Sequence, residues 1–377
     1  MRIAINCRSF LKLNYAGIGR YAYNLVKSLS ELDQQNEYWL YAQKKYFDFK
    51  RHVPHFDAKN FLVKIDWLGQ GIDHTLQTVD IYHSPSPDMI HINKAKVVVT
   101  VHDLVYRTYP QGHTQQTIDT TEKQMQAVIE RADQIICCSQ STLKDLNHFF
   151  PVDQQRVKMV YQGVDKTIFF PLEGEALEKG RTSLKKKGIE SPFLLFVGTI
   201  EPRKNLKNLL LAFSILKEKE KFKGKLIVVG MKGWMLEGMD EAVKNLYLQD
   251  SVIFPGFISD DDLRRCYNLA ECFVFPSFYE GFGFPIIEAF CCGAAVVTSN
   301  VSSCPEIAVD GALTVDPYDP DKIAQAITNV IENRELKRDL QKKGLKRSQD
   351  FSFTKTAIET LGVYQDLFKS STHTPGV

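Results

Sequence analysis

Apolar positions along this chain follow two rhythms. Short β-branched runs at Ile3–Asn6, Tyr38–Tyr41, Phe61–Ile65, Ile81–His83, Val97–Val101 and Ile135–Cys138 read as buried strands. Between several of them lie segments with a 3.6-residue period, at Gly19–Leu32, Thr117–Arg131 and Ser141–Phe149, which read as helices. The alternation restarts at Phe193–Gly198 and continues through Leu226–Gly230, Val252–Phe254, Phe273–Phe275 and Ala295–Thr298. Strand–helix–strand order with nearly all-apolar strands predicts parallel sheets covered by helices on both faces. The predicted class is α/β, in two copies.

The seam between the copies is a change in polarity. Residues 171–191 are polar, carry Gly and Pro and include the run Lys185–Lys187, so they read as a solvated linker. This places one domain at 1–170 and a second at 171–353, with the chain helical throughout from Pro320 to Phe368. Open parallel sheets bind ligands at the loops that leave the carboxyl ends of their strands. The chemistry is therefore expected in loops that follow strands.

Composition narrows the function without naming it. A length of 377 residues suits about two domains, and 44% hydrophobic with 24% charged residues excludes disordered, collagen-like and disulfide-scaffold chains. Net charge is +2, with 20 Lys/Arg against 17 Asp/Glu in residues 1–170 and 27 against 28 in the rest. Neither part carries the basic excess of a phosphate-tracking domain, so nucleic acid is excluded as a partner. The longest apolar run, Ala289–Val297, is broken by Gly293 and is far short of a membrane span of ~20 residues. The start, MRIAINCRSF, lacks the apolar core of a signal peptide. Eight cysteines without C-x-x-C spacing, two pairs of them adjacent (Cys137–Cys138 and Cys291–Cys292), read as reduced, buried thiols in a cytoplasmic protein.

Three loops qualify as chemical. The first, Gly17-Ile18-Gly19-Arg20, precedes a helix whose N-terminal amides suit an anion, but it is not a G-x-G-x-x-G fingerprint: ten residues separate it from the strand and Ala22 takes the third glycine position. A flexible loop is the plain alternative. The second, Gly198-Thr199-Ile200-Glu201-Pro202-Arg203-Lys204-Asn205, follows a strand and opens a helix. Its adjacent cations form a cradle for a multiply charged anion, or a solvated pair at the start of a surface helix. The third is Glu280-Gly281-Phe282-Gly283-Phe284-Pro285-Ile286-Ile287-Glu288. Pro285 suits a first helical turn, which places Glu288 about one turn into the helix and Glu280 on the loop ahead of it. Two carboxylates of unlike setting beside exposed amides suit a hydroxyl-rich, phosphorylated ligand; helix capping is the plain alternative for Glu280.

In this context the Glu-x7-Glu stretch, with Phe-Val-Phe-Pro-Ser before it and Glu-Ala-Phe-Cys-Cys-Gly-Ala-Ala-Val-Val after it, resembles the donor-site signature of retaining glycosyltransferases of family 4. The resemblance covers nearly the whole chain. Gly17–Tyr21, Thr100–Leu104, Tyr161–Asp165, Gly198–Asn205 and Ser303–Glu306 fall in the family's order. It implies the GT-B fold, two Rossmann-like domains with the active site in the cleft, and a final helix, 354–370, returning to the N-terminal domain. It implies that Glu288 binds the nucleotide ribose and that Glu280 faces the donor sugar, aided by the amides of Phe282, Gly283 and Phe284. Lys204 matches the lysine on the donor diphosphate, in the Gly198–Asn205 loop whose Gly198 and Thr199 are also donor-binding candidates, and Gly17 and Gly19 match the glycines against that diphosphate. His102 matches a histidine near the C6 hydroxyl of the transferred sugar. Many relatives carry a second diphosphate-binding Arg five residues before the lysine. That position is Thr199 here, and Arg203 is the candidate replacement.

The implied chemistry is transfer of a hexose, mannose or glucose, from a nucleotide-diphosphate sugar with retention of configuration. The growing charge on the leaving diphosphate needs cations where it develops. Asp260-Asp261-Asp262 follows Ser259 and reads as a first helical turn rather than a metal loop, and the family needs no metal, so no cofactor is expected. No nucleophile stands out for the far face of the sugar, which leaves a front-face route with His102 as a positioning group. Phe10–Tyr15 and Tyr106–Thr114 supply aromatic and polar residues for an acceptor. A glycan or lipid-linked glycan, met at the inner membrane face by peripheral contact, is the acceptor expected, within surface polysaccharide synthesis. The Gly198–Asn205 loop most resembles mannosyltransferases that use GDP-mannose. A sugar-nucleotide 2-epimerase of the same fold is the rival reading; a dehydrogenase lacks its fingerprint, and a nucleotide sensor would not need both cations and both glutamates.

Overall fold

A computed structural model of the chain describes residues 1–11, 17–43, 55–76, 78–88, 92–93, 95–231 and 238–372, with residues 371 and 372 as backbone only. It divides into two compact units, Met1–Gly163 with Ser352–Val377, and Val164–Phe351.

The first unit is built on a seven-stranded sheet. Its strands are β1 (Arg2–Asn6), β2 (Glu37–Gln43), β3 (Phe61–Asp66), β4 (Ile81–Ser84), β5 (Lys96–Val101), β6 (Gln134–Cys137) and β7 (Val157–Met159). They run in the order β3-β2-β1-β4-β5-β6-β7, and every neighbouring pair is parallel. The second unit holds six strands: β8 (Phe193–Val197), β9 (Lys225–Val229), β10 (Val252–Gly256), β11 (Cys272–Phe275), β12 (Val296–Ser299) and β13 (Ala312–Val315). Their order is β10-β9-β8-β11-β12-β13, again all parallel. Central strands are apolar on both faces because helices cover both: all five residues of β8 (Phe-Leu-Leu-Phe-Val) are buried. Each unit has its own core. One gathers Val99, Ile135 and Met125, the other Phe196, Leu209 and Val274.

Two expectations need correcting. Residues 171–191 are no solvated linker: Gly174–Lys185 is a helix that buries Gly180 and Leu184. Gly180 lies against the stem of Arg265, and Lys187 pairs with Asp262 on the helix Asp260–Leu269. The unit boundary falls after Gly163 rather than 170. Residues 164–170 are held by the second unit, where Arg264 Nη1 donates to the Ile168 carbonyl (3.0 Å) and its guanidinium covers the Phe170 ring at 4.4 Å.

The last helix, Phe353–Thr372, packs in the first unit against the helix Ile18–Leu32. Thr356 Oγ1 donates to the Tyr161 carbonyl at 2.8 Å. Deeper in, Tyr364 Oη lies 2.6 Å from His83 Nδ1, whose Nε2 lies 2.9 Å from Thr100 Oγ1. Burial, and then the nearby His102, push His83 down to about 3 from an ordinary 6.5. The unfolded chain binds this proton below pH 6.5 and the folded one does not until about pH 3. Stability from the neutral ring is therefore present above pH 6.5 and falls as the pH drops. His83→Gln should flatten that acid slope, read as the thermal midpoint recorded from about pH 7 to about pH 4.

All eight cysteines are free and buried. Among the described residues, no helix is long and apolar enough to cross a membrane.

Candidate functional site

The second unit assembles its site at the carboxyl ends of its two central strands, β8 and β11. β8 leads into Gly198, whose N–H donates to the Val229 carbonyl at 2.9 Å. Glu201 then begins a tight 3-10 turn, Pro202–Lys204, closed by Lys204 N–H to the Glu201 carbonyl at 3.0 Å. Asn205 ends the turn in the left-handed region (φ 59°), a conformation asparagine tolerates. Its Nδ2 is anchored on the carbonyls of Pro276 (2.9 Å) and Pro317 (2.6 Å). The helix Leu206–Glu218 starts only after it, so both cations sit on a separate turn ahead of the helix.

That turn faces the loop after β11. Lys204 Nζ donates to Glu280 Oε1 at 2.6 Å, and Arg203 Nη1 to Glu280 Oε2 at 2.9 Å. Arg203 Nε meets Glu201 Oε1 at 2.7 Å, and Nη1 also reaches the Tyr279 carbonyl at 3.0 Å. Two cations and two carboxylates thus balance in a pocket where Glu201 and Glu280 keep only 5% and 7% of their side chains exposed. Burial raises the Glu280 carboxyl, but Arg203 and Lys204 outweigh it and hold it at about 2. Burial lowers Lys204, and the neighbouring Arg203 lowers it further, against Glu280. Lys204 Nζ also lies 5.0 Å from the centre of the Phe275 ring. The main chain of Glu280 is fixed too: its N–H donates to Ser302 Oγ (2.9 Å), and Ser303 Oγ–H donates to the carbonyls of Glu280 (3.0 Å) and Phe282 (2.9 Å).

Glu280 lies on the loop and Glu288 in the second turn of the helix Phe284–Cys291, which Gly283 caps and Pro285 opens. Glu288 is buried and accepts from Tyr267 Oη–H at 3.0 Å. Phe282 packs edge-on against Phe284 (5.3 Å) ahead of that helix. Thr199 is half-buried in the turn after Gly198. Asp260–Asp262 form the first turn of a helix capped by Ser259, where Asp262 pairs with Lys187 and Arg265 and Asp261 with Arg264.

The first unit positions the remaining candidates. Gly17 caps the helix Ile18–Leu32, so Gly19 is not a loop residue but lies, buried, in that helix's first turn. His102 follows β5. Its Nε2–H donates to the Pro85 carbonyl at 2.7 Å, and its Nδ1 accepts from Gln162 Nε2 at 2.6 Å. Tyr21 packs edge-on against its ring at 5.0 Å. Burial lowers its pKa, partly offset by the Pro85 carbonyl and Asp103, which keeps it a neutral ring with both nitrogens engaged. A neutral ring so held is not set up to move a proton. Of the two aromatic acceptor loops, residues 12–15 lie outside the described residues. Phe10 and Tyr106 are core side chains, 3% exposed each, so neither offers a stacking face.

Glu201, Tyr267 and Gln162 were not singled out from the sequence. Tyr267 and Gln162 act through partners distant in the chain, Glu288 and His102, which no spacing rule links to them, whereas Glu201 acts through its near neighbour Arg203. Only the position of Glu201 beside Pro202 and the two cations hinted at its part.

The family model described as Glycosyltransferase Family 4 matches residues 15–167, and the one described as Glycosyl transferases group 1 matches 181–347. O-antigen chain mannosyltransferase B of Escherichia coli is 28% identical over 94% of this chain and 97% of its own length. The serotype-specific mannosyltransferase WbdA of Escherichia coli is 32% identical over 66% of this chain, which spans 30% of that longer protein. Sucrose-phosphate synthase from Thermosynechococcus elongatus matches in structure with a TM-score of 0.78, covering 98% of this chain and 99% of its own, at 21% identity.

Proposed function

We propose that this chain, which belongs to the group 1 and family 4 glycosyltransferases and has the GT-B fold, is a retaining hexosyltransferase that moves mannose from a nucleoside-diphosphate sugar, GDP-mannose first, onto a glycan or lipid-linked glycan acceptor in surface polysaccharide assembly. The observation that carries the donor reading is the buried cluster of Lys204, Arg203 and Glu280 at the ends of β8 and β11, with Glu288 in the helix that follows. The names of the Escherichia coli relatives support mannose and a polysaccharide product.

In this reading Lys204 meets the departing diphosphate, together with the amides ahead of the helix Phe284–Cys291, where a helix start favours an anion. The acceptor hydroxyl oxygen bonds to C1 of the sugar as the C1–O bond to phosphate breaks on the same face. The hydroxyl proton passes to the leaving phosphate oxygen. Glu280 holds sugar hydroxyls and Glu288 the ribose. The cations replace a metal ion, and the enzyme works in the cytoplasm at the inner membrane face.

Calorimetry with GDP-, UDP- and ADP-sugars in chelator tests the donor side, and proton spectra of the product linkage test retention. Binding of no nucleotide sugar, or turnover that requires added manganese, would reject the reading. Glu288→Ala should weaken nucleotide binding by ~10-fold or more with the fold intact, because it removes an acceptor that a ligand's two hydroxyls would share. Unchanged affinity removes the ribose assignment.

A further inference from the structure

Arg203 stands where a substitute for the missing diphosphate arginine would be sought, yet its Nε and Nη1 donors are already committed. Its Nε serves Glu201, and its Nη1 serves both the Tyr279 carbonyl and Glu280. Its own carbonyl accepts from the Phe278 N–H at 2.8 Å. One residue thus ties the turn after β8 to three consecutive residues of the loop after β11. A guanidinium suits this task, since its planar fork offers five fixed donors that an ammonium lacks. Lys204 has one ion-pair partner among the described residues, a single oxygen of Glu280.

A diphosphate could therefore take Lys204 at the cost of one carboxylate contact. Turning the Nε and Nη1 donors of Arg203 to it as well would strip Glu201, Glu280 and a carbonyl of their donor and leave two buried carboxylates without it, which is expensive. We infer that Glu201 and Arg203 form a positioning strut that holds the Tyr279–Glu280 segment against the donor sugar, and that Lys204 rather than Arg203 neutralises the diphosphate. The inference rests on the donor reading above. It makes Glu201 a positioning residue and answers the substitution at Thr199: the lost cation is not replaced by its neighbour.

The test separates sugar positioning from diphosphate binding, using Glu201→Gln, Arg203→Gln, the double variant and Lys204→Ala. Affinity for the sugar-free nucleoside diphosphate is measured by calorimetry, and kcat with donor and acceptor. The strut predicts that the first three keep nucleoside-diphosphate affinity within about threefold of wild type while kcat falls ~10²-fold, as a displaced sugar contact would give. The double variant should lose no more kcat than either single one, because both changes break one unit. Arg203→Lys should not rescue kcat, lacking the fork. The double variant leaves neither charge stranded, so it carries the test if a single variant fails to fold. Loss of nucleoside-diphosphate affinity in Arg203→Gln to the level of Lys204→Ala overturns the inference and leaves the donor reading standing, as do additive kcat losses. A wild-type protein that binds no nucleoside diphosphate overturns the donor reading itself.

Discussion

Lys204→Ala is expected to lower kcat/KM by at least ~10²-fold, equivalent to ~2.7 kcal/mol of transition-state stabilisation. The ammonium is held at the end of β8 by a turn with little freedom, since Asn205 locks it to the loops at Pro276 and Pro317. It needs no reorganisation to meet charge as that charge develops, which is where a preorganised cation contributes most. The buried setting strengthens its field further. Removing it also leaves Glu280 with Arg203 as its remaining cation, so part of the effect will appear as a less firmly held Glu280. Steady-state kinetics and nucleoside-diphosphate affinity should fall together. A variant with wild-type kinetics would remove Lys204 from the diphosphate role.

Much of this architecture was legible because buried parallel strands are almost wholly apolar. β8 and β11 stand out in the sequence as Phe-Leu-Leu-Phe-Val and Cys-Phe-Val-Phe. The placement of Glu280 on a loop and Glu288 on a helix followed from Pro285 and its spacing. The missed strands, β7 and β13, lie at sheet edges; they are three and four residues long and partly exposed, so their pattern is weak. The helix Gly174–Lys185 was read as linker because it buries only Gly180 and Leu184, too thin a stripe among its charges. Tyr106 and Phe10 show a different limit. Composition can supply an aromatic residue to a loop but says nothing of which way the ring turns, and here both turn inward. Three of the salt-bridged quartet were legible, its cations and Glu280, from motif spacing; Glu201 gains its part through Arg203, whose Nη1 donor reaches Glu280 because β8 and β11 lie side by side.

Gly230→Ala should be the most damaging single-methyl change in the second unit. A Cβ there would sit 1.9 Å from the Gly198 carbonyl oxygen and 2.7 Å from its carbon, at a φ of +151° that side chains rarely adopt. Both clashing atoms belong to the Gly198 backbone just past β8, so no side chain can swing aside. Relief requires moving the Gly198–Thr199 peptide, which is tied down by Gly198 N–H to Val229 and Ile200 N–H to the Met231 carbonyl (3.1 Å). Overpacking and backbone strain together should cost about 2–4 kcal/mol, a fall of roughly 5–15 °C in the unfolding midpoint of this unit. Gly362→Ala, a helical site where a Cβ meets nothing within 4 Å, should be neutral or slightly stabilising and serves as the control. The displaced peptide leads directly into the turn that carries Arg203 and Lys204. The folded Gly230→Ala protein should therefore also bind nucleoside diphosphate more weakly, although residue 230 contacts no charged group of the quartet. A variant that unfolds earlier but binds normally would show that the turn is positioned from the Asn205 side alone.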